Sequence, residues 1–146
     1  EKFSKSLMDL HNGVPGYKED IGKRVDEIFN KLPAERILER YNWSIYDDPK
    51  LFQPVHSKPL VEFKVAKPNK LFLRVERQTI RKLPKYGTVL FTIRVHVDPI
   101  ESILNDKHSL KSLKMAVENL SGSMKEYKSI NQFEKSLIDW LENKIN

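Results

Sequence analysis

The sequence predicts an α+β fold built around a curved antiparallel sheet. Amphipathic helical patterns lie toward both ends of the chain, and residues that alternate between apolar and polar fill its middle. Helical and extended segments that are separated along the chain are typical of α+β proteins rather than of parallel α/β folds. With 146 residues, the chain is long enough for a single domain with one core and too short for two.

The first quarter of the chain predicts helices. Residues 2–10 carry apolar side chains at helical spacing, and the stop sequence His11-Asn-Gly follows them. Residues 18–32 predict a second helix with one apolar stripe, which Pro33 ends. Residues 34–39 predict one further turn of helix.

A first strand and a loop follow these helices. Residues 41–46 alternate between apolar and polar side chains, with Trp43 on the apolar face, and Pro49 lies just beyond the strand. Residues 49–59 predict a loop. Residues 60–65 alternate again and predict a short edge strand.

The centre of the chain predicts a β-hairpin. Residues 71–75 and 89–97 each carry apolar side chains at every second position. Pro84 and Gly87 punctuate the segment between them, so we expect a loop over 81–87. The antiparallel sheet of the fold class depends on this hairpin.

The last third of the chain predicts helices again. A short helix over 99–104 follows Asp98, and a longer one spans 107–120. The final helix, over 131–144, has a strong apolar stripe.

Arg77 is the most informative residue of the hairpin. If the apolar stripes of the two strands face the same side, Arg77 lies opposite Phe91 and Thr79 lies opposite Val89, in line with the core. An unpaired buried charge is costly, so this arginine needs an anion or a flat ring. Two readings stay open. Arg77 stacks on an aromatic ring such as Trp43 with its head at a helix C-terminus, or it binds a ligand carboxylate or phosphate inside a concave sheet.

The opposite face of the hairpin carries charges that can compensate each other. The same alignment puts Glu76 beside Arg74 on its own strand and diagonal to Arg94 on the next. On strand geometry alone, these three residues are a surface charge ladder.

Of the four histidines, His11 is the one with a notable position. It follows a helix and precedes a Pro-Gly turn, where a side chain can project over a sheet as a cap, a core residue or a ligand. His56, His96 and His108 have no partner at a metal-ligand spacing, and we expect each to be exposed or packed.

Composition limits the classes of function. The chain has no cysteine, which excludes disulfides and thiolate metal sites and is compatible with the cytoplasm. No apolar run approaches the roughly 20 residues that span a bilayer. The net charge of +6 is spread along the chain and mixed with 20 acidic residues, as on a solvated surface. An acidic partner or cofactor is therefore a better expectation than nucleic acid.

Several motifs resemble those of one family, the haem-dependent oxidative N-demethylase alpha-subunit-like proteins. They appear in the family's order and span nearly the whole chain. The block Arg-Val-Glu-Arg-Gln-Thr at 74–79 is the most specific of them. The motifs are His11–Tyr17, Asn42–Ile45, Leu51–Pro54, Leu73–Pro84, Leu90–Arg94, Met124–Lys128 and the helix with Trp140 and Leu141.

The resemblance implies a PAS-like fold in which helices and a curved antiparallel sheet enclose haem b. It implies that residues 1–146 are the C-terminal part of a longer haem-binding domain whose first strands precede Glu1. The implied activity is oxidation of a methylated amine with release of formaldehyde. We expect a cytoplasmic location, with which the lack of cysteine is compatible. The electrons would come from a reductase subunit that carries flavin and iron–sulfur centres.

The resemblance also implies roles for particular residues. His11 becomes the candidate axial ligand of the haem iron, and Arg77 a candidate partner of a haem propionate. Other candidates are Gln78, Arg81 and Trp43 for cofactor binding and Glu76 and Thr79 for catalysis. A PAS-like sensor or interaction module without catalysis is the alternative, and a basic nucleic-acid-binding domain is a third.

Overall fold

The computed structural model describes residues 4–52 and 68–146, which form a three-stranded antiparallel sheet with flanking helices. The predicted α+β class is confirmed. The strands lie in the order β1 (Ile37–Tyr46), β2 (Phe72–Leu83) and β3 (Thr88–Pro99). The helices are α1 (Leu7–Leu10), α2 (Gly22–Lys31), α3 (Lys107–Glu118), α4 (Gly122–Tyr127) and α5 (Glu134–Ile145).

The described residues form two compact units. The residues of the first unit fall within Glu1–Tyr41 and Arg77–Arg94, and those of the second within Asn42–Glu76 and Val95–Asn146. Each strand therefore contributes one of its ends to each unit.

In the first unit, α1 is shorter than the predicted helix. Ser6 caps it: the amide of Asp9 donates to Ser6 Oγ at 3.1 Å, and Ser6 N donates back to Asp9 Oδ2 at 3.3 Å. Ser4 has a φ of 62°, a left-handed value, so a right-handed helix cannot extend back through this residue. The helix predicted over 18–32 is confirmed as a π-helical turn, Tyr17–Ile21, that leads into α2.

The turn of helix predicted over 34–39 is wrong, because β1 begins at Ile37. The side chain of Arg40 reaches Gln78 on β2, so tertiary pairing selects the extended conformation here. The loop residues from 53 onward, His56 and the strand predicted over 60–65 lie outside the described residues.

In the second unit, α3 and α5 pack on the sheet end around an apolar core. Asp106 caps α3 by accepting from the amide of His108 at 2.9 Å and from Ser109 Oγ at 2.6 Å. The helices predicted over 107–120 and 131–144 are confirmed, and α4 between them was not predicted. The buried core residues are Ile45, Leu71, Ile100, Leu110, Leu113, Val117, Ile130, Phe133, Leu137 and Leu141.

The predicted register of the hairpin is wrong. The connection is shorter than expected, since β2 ends at Leu83 and β3 begins at Thr88 after the turn Pro84–Gly87. Thr79 Oγ1 lies 2.6 Å from Thr92 Oγ1, so these two residues share a face of the sheet.

The corrected register moves the apolar stripe of β3. A shift by an odd number of residues exchanges the two faces of a strand. Phe91 therefore lies on the face opposite Arg77 and Thr79, and Arg94 lies on the same face as them. The predicted pairs Arg77 with Phe91 and Thr79 with Val89 do not form.

The absence of cysteine allows a direct test of the register. We expect the double variant Thr79→Cys/Thr92→Cys to form an intramolecular disulfide on mild oxidation, because opposed side chains lie within the reach of a disulfide. The matched variant Thr79→Cys/Val89→Cys, which the sequence-derived pairing favours, should keep two free thiols. Thiol titration and peptide mapping distinguish them. A disulfide in the second variant alone would contradict the register.

Truncating a buried side chain of the second unit should lower the free energy of unfolding more than truncating an exposed one. Leu137 is 0% exposed, so Leu137→Ala should lower the free energy of unfolding by about 2–5 kcal/mol. Met115 is 60% exposed on the neighbouring helix, and Met115→Ala should change it by less than about 0.5 kcal/mol. Urea unfolding followed by circular dichroism measures both. Equal losses in the two variants would show that α5 is not packed as described.

Candidate functional site

His11 is half-buried at the end of α1 in the first unit. Its Nδ1 atom lies 2.8 Å from the carbonyl oxygen of Leu7. A carbonyl oxygen only accepts, so Nδ1 donates the hydrogen bond and the neutral ring keeps its lone pair on Nε2. Among the residues that the structure describes, Nε2 has no hydrogen-bond partner. The ring also stacks on Tyr17, with 4.4 Å between centroids and 8° between planes.

The turn after His11 positions Tyr17 for this stacking. Gly16 has a φ of 73°, a left-handed conformation that favours glycine, and the π-helical turn begins at the next residue. The backbone also passes close to Gly22, where a Cβ atom would lie 3.1 Å from the Tyr17 carbonyl oxygen. Single π-helical turns are frequent at functional sites. Tyr17 itself is 5% exposed, so its ring is a fixed support for His11.

A shallow cavity of about 290 Å³ opens beside His11 and is lined by the end of α1, Tyr17 and the turn between them. Ligand pockets usually measure roughly 300–1,000 Å³. The described residues therefore present His11 to a ligand from one side without enclosing a large one.

Gln78 is the buried polar residue of the described part of the chain, at 5% exposure. Arg40 Nε donates a hydrogen bond of 2.7 Å to its Oε1 atom. Burial raises the pKa of Tyr17, the carboxylate of Asp26 raises it further, and the charge of Arg40 acts in the opposite direction. Burial is the largest of these effects on Tyr17, the residue that stacks on His11.

Sequence reasoning missed Arg40. It lay between the predicted helix over 34–39 and the predicted strand over 41–46, and was assigned to neither. The alternation of β1 does extend back through Arg40. A charged residue just before an apolar strand is typical of a linker, so the sequence did not assign Arg40 to the strand.

Arg77 forms an ion pair with Glu39. Tyr41 donates a hydrogen bond of 2.9 Å to the same carboxylate, at Oε1. Both charged side chains are more than a third exposed. Successive residues of a strand point to opposite faces, so Arg77 lies on the face opposite Gln78. Its predicted role toward a ligand carboxylate stays a prediction.

Thr79 and Arg81 share the face of Arg77 by the same alternation. Thr79 bonds to Thr92, and Arg81 is exposed. The structure thus separates the predicted residues of β2 into two sets. Arg77, Thr79 and Arg81 lie on one face, and Glu76 and Gln78 on the other.

Glu76 and Trp43 lie in the second unit. Arg74 Nε is 3.5 Å from Glu76 Oε1, which confirms the predicted compensation for Arg74, while Arg94 lies on the other face. Lys128 Nζ donates to the Trp43 carbonyl at 2.5 Å and lies 5.2 Å from its ring centroid. Burial lowers the pKa of Lys128, against a smaller opposing effect of Glu76. Lys128 joins the end of α4 to β1.

The remaining histidines agree with the sequence analysis as far as the structure describes them, since His96 and His108 are exposed. Within residues 4–52 and 68–146, no group of three or more His, Cys, Asp or Glu side chains could hold a metal ion. None of the helices in that part of the chain is long and apolar enough to cross a bilayer.

The Glu39 carboxylate gives a titration test of this face. The Tyr41 hydroxyl and then Arg77 hold the pKa of Glu39 below its usual value of 4.5. A lowered pKa means that the pair stabilises the fold above pH 4.5, and that this contribution is lost as the pH falls through the lowered pKa.

Tyr41→Phe and Arg77→Gln should each raise the pKa of Glu39 toward its usual value, because each removes a group that stabilises the carboxylate. NMR titration of the side-chain carboxyl carbon measures it. Arg94→Gln removes a neighbouring positive charge without removing a partner of Glu39, and serves as the control. An unchanged pKa in both test variants would contradict the described pairing.

The comparison with known protein families agrees with the motifs of the sequence. The family model described as "Haem-dependent oxidative N-demethylase, alpha subunit-like" matches residues 1–138 of the 146. The match includes every residue of the His11 site and all three strands. The chain therefore belongs to the haem-dependent oxidative N-demethylase alpha-subunit-like family.

Proposed function

We propose that this chain is the haem-binding part of an oxidative N-demethylase, with His11 as the axial ligand of the iron. The family supports haem dependence and this broad reaction class. The choice of ligand rests on one observation: Nδ1 of His11 is held by the Leu7 carbonyl, so that Nε2 is left to coordinate.

The chemistry of this donor fits haem. Imidazole is a common axial ligand of haem iron, and haem needs one or two protein ligands rather than a cluster of three. Metal-ligating histidines nearly always donate their other ring N–H to a carboxylate, a carbonyl or water, which fixes the tautomer and the ring plane. The Leu7 carbonyl supplies that hydrogen bond, and Tyr17 supplies a parallel ring. The open cavity beside His11 suits a ligand that approaches from one side.

When bound, haem would supply the redox chemistry that converts an N-methyl group to formaldehyde, with dioxygen and electrons from a flavin and iron–sulfur reductase. The chain's own residues would fix the orientation of His11 and surround the site. Gln78 is a polar residue that the chain buries in this unit. Arg77, Arg81, Trp43, Glu76 and Thr79 keep the roles predicted for them as proposals. The description of an alpha subunit supports a partner subunit, and we propose the cytoplasm as the location.

We also propose that the domain is PAS-like and that further strands of a longer polypeptide pair with β3. Two features support the idea. The sheet is an antiparallel β1-β2-β3 array in which β3 has one neighbour among the described strands. Leu90, Phe91 and Ile93 are each 46% exposed along that strand. A long apolar edge strand is normally paired or covered, because it otherwise promotes aggregation.

A haemin titration tests the proposal. Wild-type protein should develop a shifted Soret band with saturable binding, and His11→Gly should lose it. Added imidazole should restore the band in His11→Gly, because the free ligand replaces the side chain without changing the fold. The control is His96→Ala, because His96 is exposed on β3. His108 is less suitable, because it lies in the first turn of α3.

Wild-type protein without a shifted Soret band would overturn the haem assignment. If the wild type and His11→Gly gave the same shifted Soret band, haem would bind but His11 would not be its axial ligand. Formaldehyde release from a methylated amine with a reductase then separates the demethylase from the alternative, a PAS-like sensor or interaction module that binds haem without turnover.

A further inference from the structure

We infer that one exposed face of the sheet in the first unit docks an acidic protein, whose clustered carboxylates bind arginines of the hairpin. We call this surface the arginine face and define it by Arg77, Arg81 and Arg94 together with Tyr41 and Leu90. None of these five residues lines the cavity beside His11. The inference therefore goes beyond the proposed function and does not need haem to be bound.

The first argument is the one-sided charge of the hairpin. Residues 77–97 carry five Lys or Arg side chains and no Asp or Glu. Among the described strand residues of the arginine face, Glu39 of β1 is the one carboxylate, and it pairs with Arg77. Arg81 and Arg94 are exposed, and within residues 4–52 and 68–146 neither has a hydrogen-bond or ion-pair partner. The face therefore presents uncompensated positive charge.

The second argument is the register, which brings these charges close together. Thr79 lies opposite Thr92, so two residues further along each strand Arg77 lies opposite Arg94. The Cβ atoms of opposed residues are about 4.5–5.5 Å apart, and like charges directly opposite each other destabilise a sheet. A carboxylate that contacts both guanidinium groups would remove this repulsion. Glu39 supplies a carboxylate to Arg77, and a partner would supply one to Arg94.

The third argument is the shape and composition of the face, which favour a protein over a small anion. By the same register Leu90 lies opposite Arg81, and it is 46% exposed. Tyr41 is 62% exposed and bonds to Glu39 beside Arg77. Small-molecule sites are concave, whereas arginine and tyrosine on an open surface are typical anchors of protein interfaces.

Glu39 also separates a protein partner from nucleic acid. Its carboxylate lies within the arginine face and would repel a phosphate backbone, whereas a protein can place a hydrogen-bond donor against it. The exposed Leu90 side chain adds apolar surface that a protein can cover. These observations favour an acidic protein surface that also carries an aromatic or aliphatic anchor.

The experiment measures the affinity of the full chain for three labelled probes by fluorescence anisotropy. The probes are polyglutamate, a copolymer of glutamate and tyrosine, and a single-stranded oligonucleotide. Wild-type protein should bind both polypeptides, more weakly as salt is added, and should bind the copolymer more tightly than polyglutamate. The copolymer offers the apolar anchor that polyglutamate lacks.

Arg94→Glu should weaken the binding of polyglutamate about tenfold, because it replaces an attraction by a repulsion. The fold should tolerate the change, since the new carboxylate lies opposite Arg77. Lys135→Glu makes the same change of charge on α5, where the side chain is 93% exposed, and should keep the wild-type affinity. Leu90→Ser should abolish the preference for the copolymer and leave the affinity for polyglutamate unchanged.

Equal losses in Arg94→Glu and Lys135→Glu would overturn the inference, because they would show that only the net charge matters. Tighter binding of the oligonucleotide, lost in Arg94→Glu, would assign the face to nucleic acid. Wild-type protein that binds neither polypeptide would also overturn the inference. A haemin titration of Arg94→Glu completes the test. Loss of its shifted Soret band would assign the face to the cofactor, as the sequence predicted for Arg77 and Arg81, and would overturn protein docking while haem binding by the wild type stands.

Discussion

The register of the hairpin is the constraint on which the candidate site depends. The turn Pro84–Gly87 allows only a short connection, and Gly87, at a φ of 58°, adopts the left-handed conformation that closes it. This fixes Thr79 beside Thr92. One residue of slippage would exchange Gln78 with Arg77 between the two faces of β2. The buried amide and the exposed ion pair both require that Gln78 and Arg77 keep these faces, toward Arg40 and Glu39 of β1 respectively.

A second feature is local to the chain segment around His11. The orientation of the His11 ring is fixed by a hydrogen bond to the carbonyl of Leu7, four residues earlier, and by stacking on Tyr17, six residues later. Both contacts are short in sequence, so they form with the helical turns themselves. Lys82 Nζ on β2 donates to the Asn30 carbonyl at 3.2 Å, so α2 contacts the sheet directly. The orientation of the histidine, in contrast, depends on contacts within its own segment.

Much of the fold could be predicted from periodicity, because helical stripes and alternating strands repeat over many residues. The hairpin register could not. Its prediction assumed that both apolar stripes face one side, whereas the stripe of β3 lies with Phe91 on the face opposite Arg77. The strand start at Ile37 also escaped, since pairing with β2 decides it and local preference does not. The α+β class was predicted correctly despite both errors. The hydrogen bond from Arg40 to Gln78 was not predicted, because it depends on the strand that begins at Ile37.

The proposed site requires that His11 present Nε2 to a ligand. The most direct measurement is a long-range proton–nitrogen NMR correlation of the histidine rings in the chain without haem, which reports which ring nitrogen carries the proton. His11 should have its proton on Nδ1, bonded to the Leu7 carbonyl, at a pH where the ring is neutral. A proton on Nε2 would contradict it, because the nitrogen assigned to the iron would then be blocked.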